Sequence, residues 1–284
     1  MLVWSELKKG TLVWLSHRVG RTDSDEDGDD DSIILSDDEE GGDMAAVSIS
    51  DADSDGEPLH MAVKKSNRWK PGQELRIRFI GGHSSIRDKV KKYARVWERY
   101  AYIKFKFSQN EPSQIRISFR RNGGSWSKVG KDALNTDSTK PTMNLKISAA
   151  TSEARIRRTV LHEFGHALGC VHEHSSPSAT GKIKWNRQAV YDDHQGIWTR
   201  EQVDHNIFKT YKGTITQFSR FDQKSIMLYP IPSSWTMDGW HSNLNTTLSD
   251  TDKSFIAKLY PKPKRRRHSR RGSQGQGRHT LIGL

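Results

Sequence analysis

The 284-residue chain contains a single cysteine, Cys170, so no intramolecular disulfide can form and nothing in its stability depends on an oxidising compartment. No stretch reaches the roughly eighteen consecutive apolar residues of a membrane-spanning helix. The apolar run at residues 12–15 is short, and no clear small-residue cleavage site of a signal peptide follows it. We therefore expect no membrane partner and a location inside the cell, in the cytoplasm or the nucleus.

The segment 22–58 lacks lysine and arginine altogether and holds sixteen acidic residues. Its few apolar side chains cannot bury enough surface to offset the entropy of the chain, so residues 1–58 are predicted to form a disordered acidic leader. Within the leader, Ser32–Glu40 places an aliphatic triplet beside an acidic run. This arrangement resembles a SUMO-interacting segment, which would add a strand to the sheet of a SUMO-like partner. The alternative is a solvated leader that lies on the basic body of the protein.

The remainder of the chain is strongly basic, because the net charge is +12 in spite of the acidic leader. Eight lysine and arginine residues follow Tyr260, among them the cluster Lys264–Arg267. We predict a disordered basic tail at 262–284 that serves either as a nuclear-import or nucleic-acid patch or as a solubilising tail. A nuclear, nucleic-acid-associated protein is thus one class of function that the composition allows, since contacts with phosphates release counterions.

From about residue 59 the chain has the pattern of a folded domain, which we expect to end near residue 261. Alternating apolar and polar residues predict a half-buried strand at Glu74–Ile80. Apolar residues from Ile86 to Trp97 then recur at helical spacing. Apolar and polar residues alternate again in three later segments, which predicts strands at 102–107, 114–119 and 142–148. This order of strand, helix and strands predicts a mixed rather than a purely parallel sheet.

Three helices are predicted after these strands. The longest begins at Thr151–Glu153, where a capping oxygen precedes an acid, and its apolar face continues to Leu168. A second helix begins at Thr199 with a capping box, and a third begins at Ser249 and ends before Pro261. The region between the first helix and the last is largely irregular.

The longest helix carries the motif His162-Glu163-x-x-His166. Residues four apart lie one turn above each other on one face of a helix, so the two imidazoles can share one metal ion. Glu163 is next to the first histidine and can reach the water of that metal without being a ligand. This is the position of the general base in a metal hydrolase.

His172 is the expected third ligand. If the helix continued, ten residues at about 1.5 Å each would place His172 roughly 15 Å beyond His162, whereas zinc–nitrogen bonds are about 2.0 to 2.1 Å long. The helix must therefore break, and Gly169 can adopt the left-handed conformation that turns the chain back. Three histidines with one open coordination position predict a catalytic Zn²⁺ site rather than a closed structural site.

These residues resemble the metzincin zinc endopeptidases, which share HExxHxxGxxH and a downstream methionine turn, and among them the astacin-like branch. Met227 stands 55 positions after His172, and the resemblance implies that it forms an apolar floor under the zinc. The resemblance also implies that Tyr229 ligates zinc or stabilises the oxyanion. Glu173 matches the acid that follows the third ligand in astacins, and residues 124–130 are similar to the loop before the edge strand of that branch.

The resemblance covers residues 59–261 and implies an α+β, metzincin-type zincin. Such a fold has a mixed twisted sheet with helices in its N-terminal subdomain, then the active-site helix, and an irregular C-terminal subdomain that ends in a helix. The implied activity is hydrolysis of peptide bonds with one catalytic Zn²⁺ and with Glu163 as general base, supported by Tyr229. The strand at 142–148 would present an open sheet edge to an extended polypeptide substrate.

Other residues around the motif have simpler interpretations. His174 could compete for the metal, but the shorter step from Gly169 favours His172, so we expect His174 to be solvated or to support the site. Cys170 is expected to be a packing residue rather than an oxidisable thiol. Asp29 or Asp43 of the leader could fold over the zinc as an inhibitory carboxylate. Two functional alternatives stay open: a nucleic-acid-associated protein whose zincin domain is a binding or structural module, and an inactive zincin that only binds.

Overall fold

The computed structural model describes residues 63–263 except for 110–111, 122–123, 213–215 and 218. The predictions for the acidic leader, for its SUMO-like segment and for Asp29 and Asp43 lie outside the described residues. The same holds for the basic cluster Lys264–Arg267. Within the described part of the chain, no helix combines the length and the apolar character that crossing a membrane requires.

Most strands of the domain belong to one mixed sheet. The strands of the described residues are β1 (Val63–Lys64), β2 (Glu74–Ile80), β3 (Lys104–Phe107), β4 (Ile115–Ser118), β5 (Trp126–Ser127), β6 (Met143–Asn144) and β7 (Thr216–Gln217). Five of them form a sheet in the order β3-β2-β4-β6-β5, in which only β5 runs antiparallel to its neighbour. The strands β1 and β7 form a separate antiparallel pair. The mixed sheet is therefore confirmed, and β2 has the predicted bounds.

The open edge of the sheet does not lie where the sequence pattern placed it. The predicted strand at 142–148 shortens to β6, which is paired on both sides: Met143 faces Ile117 of β4, and Asn144 faces Trp126 of β5. The edge next to β6 is formed by β5 instead. The prediction of an open edge at 142–148 was wrong because pairing between distant segments is decided by tertiary context, and the two residues of β5 show no alternating run.

Two of the helices, α4 and α5, begin at the residues that the sequence predicted. The α-helices of the described residues are α1 (Ser84–Ala94), α2 (Glu153–Ala167), α3 (Arg187–Asp193), α4 (Arg200–Val203) and α5 (Asp250–Leu259). The capping box predicted at Thr199 is present, with Gln202 as its partner, and the predicted helix start at Ser249 has a second capping box, with Asp252. A π-helical turn, Asp204–Phe208, directly continues α4.

The start of α2 differs in one detail from the prediction. Ser152 is the N-cap residue, but its side chain makes no capping hydrogen bond. Glu153 instead anchors this end to α1, because its carboxylate accepts a hydrogen bond from Tyr93 and pairs with Lys89 at 2.8 Å. The first turn of α2 is thus held by a neighbouring helix rather than by its own cap.

One large apolar core holds α2 against the sheet. Alternate residues of β2 point into this core, where Leu75 and Ile77 are fully buried. Phe164 of α2 packs edge-on against Phe105 of β3, with the ring centroids 5.2 Å apart. The same core includes Met227 and residues of α5. The helix that carries the histidine motif is therefore fixed from several sides.

Candidate active site and zinc centre

The two histidines of the helical motif are buried, and the hydrogen bonds of their Nδ1 atoms orient both rings. His162 Nδ1 lies 2.8 Å from the carbonyl oxygen of Ile226, and His166 Nδ1 lies 2.8 Å from that of Cys170. A carbonyl oxygen can only accept, so each Nδ1 carries the hydrogen and each Nε2 keeps its lone pair. Such a carbonyl partner is typical of histidines that ligate a metal through Nε2.

Burial also keeps these histidines neutral. It lowers the pKa of His166 to about 4 and lowers the pKa of both His162 and His172 well below the usual value. The neutral imidazole is the form that binds a metal ion. The three rings are consequently ready to bind metal at neutral pH without first losing a proton.

A sharp turn ends α2 and brings the third histidine back towards the other two. Gly169 has φ +97°, the left-handed conformation expected for this turn. The last carbonyl groups of the helix find partners in distant side chains: Trp69 Nε1 donates to the carbonyl of Ala167 at 2.8 Å, and the Tyr260 hydroxyl donates to that of Leu168 at 2.7 Å. The end of the helix is therefore fixed by two hydrogen bonds just before the turn.

The three histidines converge on one position. One possible ligand atom from each of His162, His166 and His172 lies within 4.8 Å of the other two. The Nε2 atoms of His166 and His172 are 3.1 Å apart, close to the separation of about 3.3 Å that two zinc–nitrogen bonds at a tetrahedral angle would give. Imidazole is a preferred ligand of zinc. The residues therefore fit a single Zn²⁺ ion.

Glu163 is buried beside these ligands, with 5% of its surface exposed. Its Oε2 atom has no hydrogen-bond partner among the described residues, although buried carboxylate oxygens are normally paired. Burial raises the pKa of Glu163 to about 8, and the charge of Arg158 opposes this shift. A divalent cation in the site would favour the ionised form, so the carboxylate would be free to accept a proton from a water on that ion.

The methionine turn lies directly against α2. Met227 is fully buried, and a side chain at Gly165 would collide with its Sδ atom. Asp252 of α5 holds the turn, because its carboxylate accepts hydrogen bonds of 2.8 Å from both the Ser225 hydroxyl and the Ile226 N–H. The structure thus places Met227 in contact with the motif helix at Gly165.

Tyr229 follows the methionine turn and lies against the histidine cluster. Its ring centroid lies 4.2 Å from that of His172 and 6.0 Å from that of His162. Burial, and after it the charge of Glu163, raises the pKa of Tyr229 above its usual value, so its hydroxyl keeps its proton. The ring of His174 stacks on His172 at 5.2 Å, and its Nε2 is 3.1 Å from the carbonyl oxygen of Asn206. His174 therefore supports the ring of the third ligand.

Glu173 ties the third ligand to the methionine turn. Its N–H donates to the carbonyl of Met227 at 3.1 Å, and its Oε1 accepts from the N–H of Asp222 at 2.8 Å. Burial raises the pKa of Glu173 to about 8. The backbone of this residue therefore joins the segment that carries His172 to the methionine turn.

Two buried charged residues around the site escaped the sequence analysis. Arg158, on α2, bonds to the main chain on both sides of Met227, and Asp252, on α5, bonds to the residues just before it. A signal for Arg158 did exist, because it stands one turn before His162 on the same face of the predicted helix, where an apolar residue is the norm.

The geometry agrees with a known family. The family model for Astacin, which describes a family of peptidases, matches residues 61–257, a range that includes the three histidines, Glu163 and the methionine turn. This chain belongs to the astacin family. The match also assigns the site to a family of zinc peptidases, so the predicted cofactor, Zn²⁺, is the expected metal of this astacin domain.

Individual relatives have low sequence identity to this astacin domain. Astacin-like metalloprotease toxin 2 of Loxosceles intermedia is 26% identical over 162 residues, which are 57% of this chain and 56% of the toxin. Zinc metalloproteinase dpy-31 of Teladorsagia circumcincta is 27% identical over 138 residues, 48% of this chain and 21% of that protein. The chain thus matches from a fifth to just over half of the length of these relatives.

A solved structure, of myroilysin, shows higher similarity. It is 42% identical with a TM-score of 0.69, and the match covers 71% of this chain and 99% of that one. The α+β, metzincin-type fold predicted from the sequence is therefore confirmed.

Proposed function

We propose that this protein is a zinc-dependent metalloendopeptidase, which hydrolyses peptide bonds within polypeptide substrates. The observation that carries the proposal is the convergence of three neutral imidazoles beside a buried glutamate, in a domain of a zinc peptidase family. Three protein ligands leave a fourth position for water or substrate, which is the arrangement of a catalytic zinc site.

His162, His166 and His172 would hold the ion. Bound zinc supplies Lewis-acid chemistry, which lowers the pKa of a water to about 7 and polarises the scissile carbonyl. Glu163 accepts the proton of the attacking water and delivers it to the amine that leaves. The Tyr229 hydroxyl, kept protonated by its raised pKa, donates a hydrogen bond to the oxyanion that develops on the substrate carbonyl.

The edge strand β5 is the place where an extended substrate would bind. Lys128 N–H donates to the carbonyl of Thr142, whereas Thr142 N–H donates to the carbonyl of Arg116, so this single hydrogen bond ends the antiparallel ladder beside the Ser127–Met143 pair. Hydrogen-bonded and non-hydrogen-bonded pairs alternate in such a ladder, so Ser127 and Met143 form a non-hydrogen-bonded pair, and the N–H and C=O of Ser127 point away from β6 towards the open side. A substrate that adds a strand here is bound through its main chain, which favours unfolded segments of varied sequence.

The decisive experiment compares Glu163→Gln with the wild-type protein after metal analysis of both. The glutamine has the same shape but cannot accept a proton, so the variant should bind one zinc ion and cleave an unfolded protein at least about a hundredfold more slowly. Treatment of the wild type with a chelator should abolish cleavage, and added zinc should restore it. Glu201→Gln, on the exposed start of α4, is the matched control and should behave like the wild type.

The proposal fails if Glu163→Gln cleaves as fast as the wild type, or if the wild type cleaves equally well after its metal has been removed. An inactive zincin that only binds peptides would hold zinc yet show no cleavage in any of these proteins.

Binding at the edge strand has its own test. In a peptide substrate, methylation of one backbone amide at a time should lower kcat/KM by about tenfold at alternate positions, because only every second residue of an added strand faces β5. Equal effects at neighbouring positions would show that the substrate does not bind as a strand.

The alternative function, binding of nucleic acid, rests on the basic composition alone. None of the similar proteins named above is described as a protein that binds nucleic acid. Binding to DNA or RNA that weakens steeply with salt, together with no peptidase activity, would favour this alternative.

A further inference from the structure

Arg158 is a buried cation in the wall of the active site that the proposed mechanism does not use. It lies one turn before His162 on the same face of α2, and 8% of its surface is exposed. Burial lowers the pKa of Arg158 to about 10, so the side chain remains charged at neutral pH. Removing a guanidinium from water is costly unless its N–H groups are well paired. A charged residue at this buried position is therefore expected to have specific partners and a specific function.

The guanidinium binds the backbone on both sides of Met227. Nη1 donates to the carbonyl of Ile226 at 2.8 Å, and Nη2 donates to the carbonyl of Leu228 at 3.0 Å. Arginine presents its N–H groups in a rigid plane, so these two hydrogen bonds together fix the distance and the orientation of the two carbonyls. A single side chain of the motif helix thus holds the methionine turn in shape.

The same hydrogen bonds connect two residues of the proposed catalytic centre. The Ile226 carbonyl that accepts from Arg158 also accepts from His162 Nδ1 at 2.8 Å. Leu228, the other acceptor, directly precedes Tyr229. A change in the Arg158 contacts would therefore alter both the partner that orients the first zinc ligand and the backbone from which the tyrosine projects.

We propose that Arg158 is a positioning residue, which locks the methionine turn to the motif helix and so sets the orientation of the His162 ring and the place of Tyr229. The inference rests on the zinc peptidase function proposed above. It predicts that loss of the guanidinium affects the metal and the catalytic step more than it affects substrate binding.

The test compares Arg158→Met and Arg158→Lys with the matched control Arg157→Met. Methionine fills much of the same space without the N–H groups, and lysine keeps the charge without the planar fork. Arg157 is the neighbouring arginine of α2, but it binds the carbonyl of Thr246 at 2.9 Å and not the methionine turn. Four properties are measured: zinc affinity, the visible absorption spectrum of the cobalt-substituted protein, kcat with KM, and the melting temperature.

We expect Arg158→Met to bind zinc about 10-fold to 100-fold more weakly, the usual effect of losing a group that orients a metal ligand. Its cobalt spectrum should change because the geometry of His162 changes, and kcat should fall while KM stays within about twofold, since only the catalytic step loses its alignment. Arg158→Lys should give intermediate values in each measurement. Arg157→Met should match the wild type in its spectrum, zinc affinity and kcat.

A normal cobalt spectrum, zinc affinity and kcat in Arg158→Met would overturn the assignment, even if the melting temperature fell, because the residue would then only stabilise the fold. If Arg158→Met does not fold, wild-type values in Arg158→Lys overturn it in the same way. A wild-type protein that binds no zinc would refute the proposed function and this inference together, whereas an active wild type with unaltered Arg158 variants would refute this inference alone.

Discussion

The two halves of this domain are held together by different means. Residues 63–168 pack their sheet and helices around one large core, in which Trp69, Trp97 and Phe164 are almost fully buried. In the later region, between His172 and Ser249, the helices α3 and α4 have only seven and four residues, and the apolar cluster is smaller and largely edged by half-buried aromatic rings. The first half positions two of the three clustered histidines by regular packing, whereas the second half needs individual polar contacts.

These polar contacts concentrate on the methionine turn. Asp252 reaches it from α5, Arg158 reaches it from α2, and Glu173 reaches it from the segment after the third ligand. All three residues are buried. Buried polar groups are costly to leave unpaired, so the turn has one favoured arrangement in which all of these bonds are made. We therefore expect that replacing a buried polar residue lowers the stability of the second half more than that of the first.

Among the substitutions that test this difference between the halves, Asp252→Ala should have the largest effect on stability. The change leaves the Ile226 and Ser249 N–H groups and the Ser225 hydroxyl without their acceptor in a buried place. We expect a loss of about 3 kcal/mol in the free energy of unfolding, which lowers the melting temperature by roughly 6 to 12 °C in a domain of this size. Thermal unfolding measures the loss directly.

The matched control is Asp250→Ala, two residues earlier on the same helix. The Asp250 carboxylate is exposed and makes a surface ion pair with Lys253, so its removal should change the melting temperature little. Equal effects of the two substitutions would mean that the methionine turn does not depend on its buried carboxylate.

A smaller effect, confined to catalysis, is expected from Tyr229→Phe. Loss of the hydroxyl should lower kcat by about 10-fold to 100-fold, less than Glu163→Gln, because the metal shares the stabilisation of the oxyanion. Zinc content and the melting temperature should stay close to the wild type. Tyr191→Phe serves as the control, since that hydroxyl binds Asp204 at 2.7 Å within the second half. If Tyr229→Phe has the kcat of the wild type, the tyrosine hydroxyl has no part in the mechanism.

The smallest effect is expected where the two halves join, from Gly169→Ala. An alanine at φ +97° is strained by about 1 to 2 kcal/mol, and relief of this strain would displace His172 and weaken zinc binding. Gly196→Ala, also at a positive φ of +79°, carries similar strain outside the segment 162–172 and should leave zinc affinity unchanged. Equal zinc affinities in the two variants would show that the turn tolerates a side chain.

The local patterns of the chain predicted several elements of the domain well, for physical reasons that particular residues illustrate. The alternation in Glu74–Ile80 reproduces the bounds of β2, because one face of that strand meets the core. The capping residues Thr199 and Ser249 mark the starts of α4 and α5, because a capping box satisfies N–H groups within four residues of chain. The edge strand β5 escaped prediction because its pairing with β6 depends on segments that are distant in sequence.

By itself, the sequence predicted which residues would ligate the metal and the need for a bend between them. The spacing of His162, His166 and His172 leaves only a helix that breaks near Gly169, since helix geometry is local and nearly invariant. Only the tertiary structure decided what holds the site in place. Arg158, Asp252 and the edge strand β5 act through partners well separated in sequence, and such contacts are set by the packing of the whole domain rather than by any pattern in the chain.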